Sequence, residues 1–182
     1  MNQASQNMSH VTKLIEINIF SCYPWIVRGK LKSLEEIQSI TAQAKASGKK
    51  IVFTNGCFDI LHRGHLHVLR EAKALGDLLI VAVNTDSSVR RIKGPSRPVV
   101  SEVGRAELIA ALEMVDYVTL FDDPDPCRLI DALHPDVLAK GGDWGRDGVV
   151  GAEIVERNGG RVAIIPYLKG YSTTEIIERV RN

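Results

Sequence analysis

The chain has 182 residues and a formal net charge of +1, and its composition is 45% hydrophobic and 25% charged. This length fits one domain with a sizeable core, while the near-neutral charge and the 5% aromatic content give no reason to expect nucleic acid or a membrane as a partner. Three widely spaced cysteines and the lack of an apolar run of membrane-spanning length predict a cytoplasmic protein without a disulfide framework or a zinc ribbon.

The first 30 residues differ in composition from the rest of the chain and are rich in Asn, Gln and Ser. We expect residues 1–30 to form a poorly ordered extension, with the main domain spanning residues 31–182. In that domain, apolar residues recur at helical spacing from Leu34 to Ala44, and Gly48 is placed to end this first helix.

Apolar runs and helical patterns alternate along the remainder of the chain. The predicted strands are Ile51–Phe53, Leu78–Val83, Tyr117–Phe121, Val137–Ala139 and Val162–Ile165. The predicted helices lie at about Gly64–Leu75, Val103–Met114, Cys127–Leu133, Gly151–Asn158 and Thr173–Val180. Because the strands are continuous apolar runs, both faces of the sheet must be covered. The sequence therefore predicts an α/β fold, a Rossmann-like doubly wound parallel sheet of about five strands, as a single domain with an N-terminal extension.

Polar residues and glycines follow each predicted strand directly. These segments are Asn55-Gly56, Asn84 to Asp86, Asp122-Asp123, Lys140 to Trp144 and Tyr167 to Thr174. In a doubly wound sheet, ligands bind beyond the carboxyl ends of the strands, so we expect all five segments to contribute to one site.

Two histidines, His62 and His65, stand at the predicted start of the second helix. Gly64 between them lets backbone approach a ligand closely, and a helix N-terminus attracts anions. Two imidazole donors with that dipole suit a phosphate that gains negative charge during reaction. The residues alone leave other interpretations open: an ordinary surface or core pair, a shared metal ion with Cys57 as the one soft ligand nearby, or Cys57 as a nucleophile.

The whole segment T-N-G-C-F-D-I-L-H-R-G-H, residues 54–65, resembles the signature of the cytidylyltransferase-like nucleotidyltransferases. The resemblance implies transfer of a nucleotidyl group to a phosphate-bearing acceptor, with release of pyrophosphate. It also implies that His62 and His65 are catalytic and stabilise the pentacoordinate transition state at the α-phosphate. The implied nucleotide contacts of this segment are Thr54, Asn55, Gly56, Cys57, Phe58 and Gly64.

A second motif lies in residues 170–177, at the predicted start of the last helix. On physical grounds this segment is a helix cap with free N–H groups, and it need be nothing more. A similar S-T-T segment in the superfamily holds the β- and γ-phosphates, where many relatives carry an arginine a few residues earlier; Lys169 is the nearest basic residue here. The resemblance implies nucleotide contacts for Tyr171, Ser172, Thr173 and Thr174.

The third motif, residues 140–144, places two glycines after the predicted fourth strand. They permit a tight turn and the close approach of a base or ribose, although a simple turn with an exposed tryptophan is the alternative. Relatives have a similar G-x-D-W stretch in the nucleotide pocket, which implies nucleotide contacts for Lys140, Gly142 and Asp143.

The fourth motif is the basic stretch from Arg90 to Pro98, whose Gly and Pro favour a loop over a helix. It is either a solvated surface or a mobile lid that carries charge to the phosphates. In relatives a lysine in the equivalent loop serves the second purpose, which implies a catalytic role for Lys93. The residues that we predict to bind the second substrate are Asp59, Asn84, Asp86 and Arg105.

Residues 83–99 and 139–144 make the resemblance closest to the adenylyltransferases of D-glycero-β-D-manno-heptose 1-phosphate. This implies ATP with Mg²⁺ as the donor, a sugar 1-phosphate as the acceptor, and ADP-heptose for lipopolysaccharide core synthesis as the product. It further implies a stand-alone form, since the chain has no room for a heptose kinase domain, and by analogy a homo-oligomer, a dimer or a tetramer. A cytidylyltransferase for a polyol phosphate such as glycerol 3-phosphate and a non-catalytic nucleotide-binding regulator of the same fold are the alternatives.

Overall fold

The computed structural model describes residues 29–142 and 148–181. The predicted extension over residues 1–30 lies almost entirely outside this range, and so does Asp143, a predicted nucleotide contact. The first described residues run beside the edge of the sheet, where Lys32 N–H donates to Val118 O at 2.9 Å and Val118 N–H donates to Lys30 O at 2.8 Å.

Five strands form one parallel sheet in the order β3-β2-β1-β4-β5. The strands are β1 (Ile51–Gly56), β2 (Leu78–Asn84), β3 (Tyr117–Phe121), β4 (Val137–Gly141) and β5 (Arg161–Ile165). The order reverses between β1 and β4, so the carboxyl ends of these two strands border the crevice where ligands of such folds bind.

The helices of the described residues alternate with these strands. They are α1 (Leu34–Ala46), α2 (Arg63–Lys73), α3 (Asp86–Lys93), α4 (Glu102–Ala110), α5 (Cys127–Leu133), α6 (Ala152–Arg157) and α7 (Thr173–Arg181). The predicted helices agree with these bounds to within a few residues, the largest difference being that α4 ends at Ala110 and not at Met114.

Two apolar cores cover the two faces of the sheet. On one face, Ile37 of α1, Ile130 of α5 and Val155 of α6 are fully buried in one cluster. On the other face, Leu69 of α2 and Ile109 of α4 are fully buried in a second cluster. Helices on both faces of a parallel sheet confirm the predicted Rossmann-like, doubly wound α/β fold.

The prediction of a loop for the basic stretch is wrong for its first four residues, because Arg90 to Lys93 form the second half of α3. The helix starts where the Thr85 hydroxyl accepts a hydrogen bond from Ser88 N–H at 3.2 Å. It ends at Gly94, whose φ of +95° lies in the region that glycine tolerates best. Glycine and proline therefore end this helix and do not prevent it.

A row of aspartates closes the opposite edge of the sheet, at the amino ends of the strands. Each carboxylate accepts from a backbone N–H at the start of a neighbouring strand. The bonds run from Lys50 N to Asp77 Oδ2, from Leu79 N to Asp116 Oδ2 and from Ile51 N to Asp136 Oδ2, each at 2.7 Å. These side chains secure the strand register at the edge away from the ligand-binding crevice.

Two consecutive glycines at the turn from α6 to β5 meet different constraints. Gly159 has a φ of +79° and open space around it. Gly160 lies against backbone, and a Cβ at that position would stand 2.6 Å from Pro135 O and 3.0 Å from Asp136 O. Gly160 therefore lets the chain enter β5 directly beside β4.

We predict that Gly160→Ala lowers the free energy of unfolding by about 1–3 kcal/mol, because the methyl group displaces backbone that leads into β4. Gly159→Asn is the matched control, since asparagine tolerates a left-handed backbone and meets no neighbour there. Urea unfolding of both variants measures the difference. Equal losses for the two variants would show that the close approach at Gly160 has no energetic consequence.

Candidate active site

Helix α2 begins at a pair of histidines that cap its first turn. His62 has extended backbone and accepts a hydrogen bond from Gly64 N–H through its ring Nδ1 at 3.1 Å. His65, one turn later, accepts from His62 N–H through its own Nδ1 at 3.4 Å. The sequence places imidazoles where helix caps are usually hydroxyl or carboxylate groups, so two exposed N–H groups are satisfied by the two rings.

These two hydrogen bonds set the protonation of both rings. A nitrogen that accepts a hydrogen bond carries no proton, so the remaining proton of each neutral ring sits on Nε2. Burial lowers the pKa of His65 to about 4, with the adjacent His62 adding to the effect, and burial also lowers the pKa of His62 below its ordinary value. Near neutral pH the pair is therefore two uncharged Nε2–H donors.

Close packing fixes the positions of the two rings. They stack on each other with centroids 3.8 Å apart and an interplanar angle of 22°. Phe58, with a φ of +49°, lies with its ring centroid 5.2 Å from that of His65. A Cβ on Gly64 would stand 3.0 Å from the His62 ring and 3.2 Å from Tyr171 O, so glycine is needed there for the close approach of α7.

A cavity of about 580 Å³ opens in front of the histidines, at the carboxyl edge of the sheet. It brings together residues from three separate parts of the chain: the segment after β1, the end of α3 with the loop that follows, and the start of α7. The predicted site residues that line it are Cys57, Phe58, Asp59, His62, Gly64, His65, Lys93, Tyr171, Ser172, Thr173 and Thr174.

The start of α7 forms one wall of the cavity. Ser172 caps the helix, since its hydroxyl accepts from Glu175 N–H at 3.1 Å. The Tyr171 hydroxyl accepts from Arg63 Nη1 at 3.2 Å, and the guanidinium carbon lies 5.6 Å from the centre of the tyrosine ring. The first N–H groups of a helix have no acceptor within it, so this wall presents backbone donors beside the histidine pair.

The loop after α3 forms another wall and carries positive charge. Lys93 and Arg97 both line the cavity. Arg97 donates through Nε to the carboxylate of Asp59, which also accepts from Val99 N–H at 2.7 Å and Val100 N–H at 3.0 Å. Burial raises the pKa of Asp59, but these hydrogen bonds outweigh burial and leave the pKa below its usual value. Asp59 is therefore an ionised anchor for this loop.

Arg105, a predicted substrate contact, is fully buried and lies behind the cavity wall. Its guanidinium donates to Val100 O at 2.9 Å, to Cys57 O at 2.6 Å and to the Asp86 carboxylate at 2.8 Å. These contacts hold the segment after β1, the start of α3 and the loop before α4 together. They support a positioning role for both Arg105 and Asp86, and neither residue lines the cavity.

Other predicted site residues also lie behind the cavity and not in its lining. Thr54 and Asn84 are buried at the carboxyl ends of β1 and β2, and Asn84 Nδ2 donates to Ser88 Oγ at 3.0 Å. Lys140 Nζ donates to Asn55 Oδ1, which joins the ends of β4 and β1, and burial lowers the pKa of Lys140 to about 8. The backbone positions Gly56 and Gly142 likewise do not line the cavity.

The cavity lining also includes Val68 and Arg97, to which the sequence analysis assigned no contact. Val68 stands one helical turn after His65, so helical spacing could have indicated it. Arg97 belongs to the basic stretch from which only Lys93 was predicted, and its partner Asp59 lies 38 residues earlier.

Cys57 lines the same cavity but is a poor nucleophile in this setting. Burial raises the pKa of its thiol, and the nearby Lys93, Arg105 and Arg97 only partly offset that increase. A thiol with a raised pKa stays protonated near neutral pH, whereas nucleophilic attack requires the thiolate. The cavity thus favours stabilisation of negative charge over covalent chemistry at Cys57.

Within residues 29–142 and 148–181, no group of three or more His, Cys, Asp or Glu side chains converges in the manner of a metal site. The two histidines use their Nδ1 atoms as hydrogen-bond acceptors, so only their Nε2 atoms face other partners. A metal held by this pair would lack further protein ligands from the described residues.

None of the helices in residues 29–142 and 148–181 has the length and apolar character required to cross a membrane.

Known proteins are similar to this chain in sequence and in fold. The family model Cytidylyltransferase-like matches residues 53–179. The bifunctional protein HldE of Citrifermentans bemidjiense is 51% identical over 151 residues, and that of Trichlorobacter lovleyi is 53% identical over 151 residues. Each match covers 83% of this chain and 31% of the relative, so the chain spans about a third of the length of these curated relatives.

Among solved structures, the lipopolysaccharide core biosynthesis protein from Thermoplasma volcanium is similar to this chain, with a TM-score of 0.56 and 34% sequence identity. The similarity covers 69% of this chain and 100% of that protein. The fold of this chain is therefore shared with that protein.

We predict that the His65 ring titrates near pH 4 and that both histidines are Nε2–H tautomers at pH 7, because burial disfavours the imidazolium and both Nδ1 atoms accept hydrogen bonds. Nuclear magnetic resonance of ¹⁵N-labelled protein, with His62→Gln and His65→Gln for assignment, measures both properties. A His65 ring that titrates at its ordinary value of 6.5 would contradict the geometry.

The lowered pKa of His65 makes the free energy of unfolding depend on pH. The unfolded chain takes up the His65 proton near pH 6.5 and the folded chain only near pH 4, so the free energy of unfolding should fall as the pH drops through this window. His65→Gln should flatten that part of the profile, which urea unfolding at several pH values would show.

Proposed function

Because the chain belongs to the cytidylyltransferase-like family and is a nucleotidyltransferase, we propose that it transfers AMP from ATP to D-glycero-β-D-manno-heptose 1-phosphate. The products are ADP-heptose, for lipopolysaccharide core synthesis, and pyrophosphate. The observation that carries this proposal is the pair of neutral Nε2–H donors at the start of α2, in one cavity with Lys93 and Arg97 and the open N-terminus of α7.

The reaction needs no covalent enzyme intermediate. An oxygen of the acceptor phosphate attacks the α-phosphorus of ATP in line, the new P–O bond forms, and the bond to the bridging oxygen of the pyrophosphate leaving group breaks. The attacking oxygen is already an anion, so no side chain has to remove a proton from it. Catalysis then consists of positioning and of stabilising the negative charge that builds up on the α-phosphate.

His62 and His65 supply that stabilisation. Their Nε2–H groups are fixed by the hydrogen bonds to Nδ1 and by ring stacking, so they need no rearrangement as charge develops. Neutral donors strengthen their hydrogen bonds as the equatorial oxygens become more negative, and they bind the less charged ground state less strongly. Lys93 adds a full positive charge in the same cavity.

The start of α7 binds the β- and γ-phosphates of ATP in this proposal. Its first backbone N–H groups and the Thr173 and Thr174 hydroxyls supply donors, and the helix dipole favours negative charge. Lys169, which also lines the cavity, is the nearest basic residue before this segment, where many relatives carry an arginine a few residues earlier. The contact between Gly64 and Tyr171 O keeps these donors next to the histidine pair.

A protein-held metal cage does not fit the described residues, since no triad of suitable ligands converges there and the Asp59 carboxylate already has three hydrogen-bond donors. Magnesium would instead enter with ATP, held mainly by the nucleotide's own phosphates and by water, and it would supply neutralisation of negative charge on the phosphates.

Two findings support the choice of ATP and a heptose phosphate. The segment R-I-K-G-P-S-R-P, residues 91–98, resembles heptose 1-phosphate adenylyltransferases, and this segment forms the cationic wall of the cavity. Relatives at 51% and 53% identity are named bifunctional protein HldE, and a similar solved structure is a lipopolysaccharide core biosynthesis protein. A cytidylyltransferase for a polyol phosphate is the second candidate, on the family model alone.

We predict that the purified protein, with Mg²⁺ present, releases pyrophosphate from ATP when heptose 1-phosphate is added. Replacing ATP by CTP, or heptose 1-phosphate by glycerol 3-phosphate, should give less than about one tenth of that rate. A coupled phosphate assay with inorganic pyrophosphatase measures all four combinations. Faster turnover with CTP and glycerol 3-phosphate would replace the proposed reaction by the second candidate.

His65→Ala is the variant that tests the role of the histidine pair in this assay. It should lower kcat about 100- to 1000-fold, as loss of a transition-state donor does, while ATP still binds. His67→Ala, in the same helix but outside the cavity lining, is the matched control.

ATP binding by the wild type without pyrophosphate release from any acceptor would favour the other alternative, a non-catalytic nucleotide-binding regulator of the same fold.

A further inference from the structure

We infer that Arg97 binds the phosphate group of the acceptor and that Asp59 fixes the orientation of its guanidinium for this purpose. This inference rests on the proposed function and deepens it by naming a residue that distinguishes the acceptor from the nucleotide. Four observations carry it: the ion pair between Asp59 and Arg97, the guanidinium donors that this pair leaves free, the place of Arg97 in the cavity lining, and the position of Arg97 relative to the start of α7.

The Asp59–Arg97 pair is built rigidly. Asp59 is only 2% exposed, and its two oxygens accept from Arg97 Nε, from Val99 N–H and from Val100 N–H. The backbone on both sides of the pair is held as well, since Arg97 N–H donates to Gly94 O at 3.1 Å and Arg105 Nε donates to Val100 O at 2.9 Å. The guanidinium therefore has little freedom to turn.

The pair uses a small part of what the guanidinium can offer. Arginine has five N–H donors in a planar fork, and Asp59 accepts from Nε. Within the described part of the chain, no acceptor other than Asp59 takes a hydrogen bond from the Arg97 guanidinium. The Arg97 side chain is 17% exposed and lines the cavity, so the Nη donors remain for a ligand there. A planar fork of this kind matches two oxygens of a phosphate.

A purely structural role for the ion pair does not explain why Arg97 lines the cavity with most of its donors free. If the ion pair served only to anchor the loop, the two backbone bonds from Val99 and Val100 to Asp59 would already do so. A guanidinium that lines a cavity and has most of its donors free is what an anion site requires.

The position of Arg97 relative to the other wall identifies which phosphate it meets. Segment 59–64 touches the two walls at its opposite ends: Asp59 contacts Arg97, and Gly64 lies against Tyr171 O at the start of α7. His62 lies between these ends. With the β- and γ-phosphates of ATP at α7, the leaving group and the attacking group of an in-line transfer lie on opposite sides of the α-phosphate. Arg97 is then on the acceptor side.

The test is steady-state kinetics of pyrophosphate release with each substrate varied in turn. Arg97→Ala should raise the KM for heptose 1-phosphate about 10- to 100-fold and leave the KM for ATP within about twofold, since a charge-assisted phosphate contact is lost on one side only. Arg97→Lys, which keeps the charge but not the fork, should raise the acceptor KM about tenfold with an unchanged melting temperature. Arg90→Ala, an exposed arginine of α3 outside the cavity lining, is the matched control.

An equal or larger rise in the KM for ATP would overturn the inference, because Arg97 would then bind the nucleotide. A lower melting temperature with both KM values unchanged would also overturn it and leave Arg97 as a structural tether. Failure of the proposed function shows itself separately, as no pyrophosphate release by the wild type.

If the wild type releases no pyrophosphate, a binding measurement still tests the inference. Calorimetric titration of inorganic phosphate into protein saturated with α,β-methylene-ATP should give a signal that Arg97→Ala removes and Arg90→Ala retains. Phosphate binding that is equal in the wild type and in Arg97→Ala, or that is not detected in the wild type, would overturn the inference.

Discussion

Two hydrogen bonds from backbone N–H groups to imidazole Nδ1 atoms, at the first turn of α2, are the constraint on which the site depends. They satisfy helix N–H groups that would otherwise be unpaired, and they leave the proton of each ring on Nε2. Burial keeps the rings neutral, and stacking keeps them parallel. One local arrangement thus caps a helix and fixes two uncharged donors in the lining of the cavity.

The surroundings of the pair come from distant parts of the chain, and buried charge holds them together. Asp59 fixes the loop that carries Arg97, and Arg105 ties the segment after β1 to α3 and to the loop before α4. Burying these groups is tolerated because each charge has a partner and several hydrogen bonds. The result is a cavity lined by cationic side chains, a helix N-terminus and the two histidines, which suits a reaction between two phosphates.

Much of the fold follows from local sequence. Short continuous apolar runs such as Leu78–Val83 favour strands that are covered on both faces, and in a parallel sheet the polar residues that follow them lie at one edge. The prediction at Arg90–Lys93 was wrong because it used Gly94 and Pro95 alone, whereas the cap at Thr85 starts a helix there. A cap starts a helix, and glycine after it ends one, so the two signals were compatible.

The sequence does not show which motif residues line the cavity and which ones lie behind it. Motif residues lie in the cavity and behind it alike, and only long-range pairing separates them: Lys140 meets Asn55 across 85 residues, and Arg97 meets Asp59 across 38. A charged residue near a strand end predicts proximity to the ligand. Whether its donors face the ligand or another protein group is decided by tertiary packing, as the fully buried Arg105 illustrates.

The central claim is direct in-line transfer past two neutral histidine donors, and the stereochemistry at the α-phosphorus tests it most directly. The substrate is a single diastereomer of ATP with sulfur in place of one non-bridging α-oxygen, and the configuration of the product is read by ³¹P nuclear magnetic resonance. One displacement predicts inversion of configuration. Retention would mean two displacements through a covalent enzyme intermediate and would contradict the account.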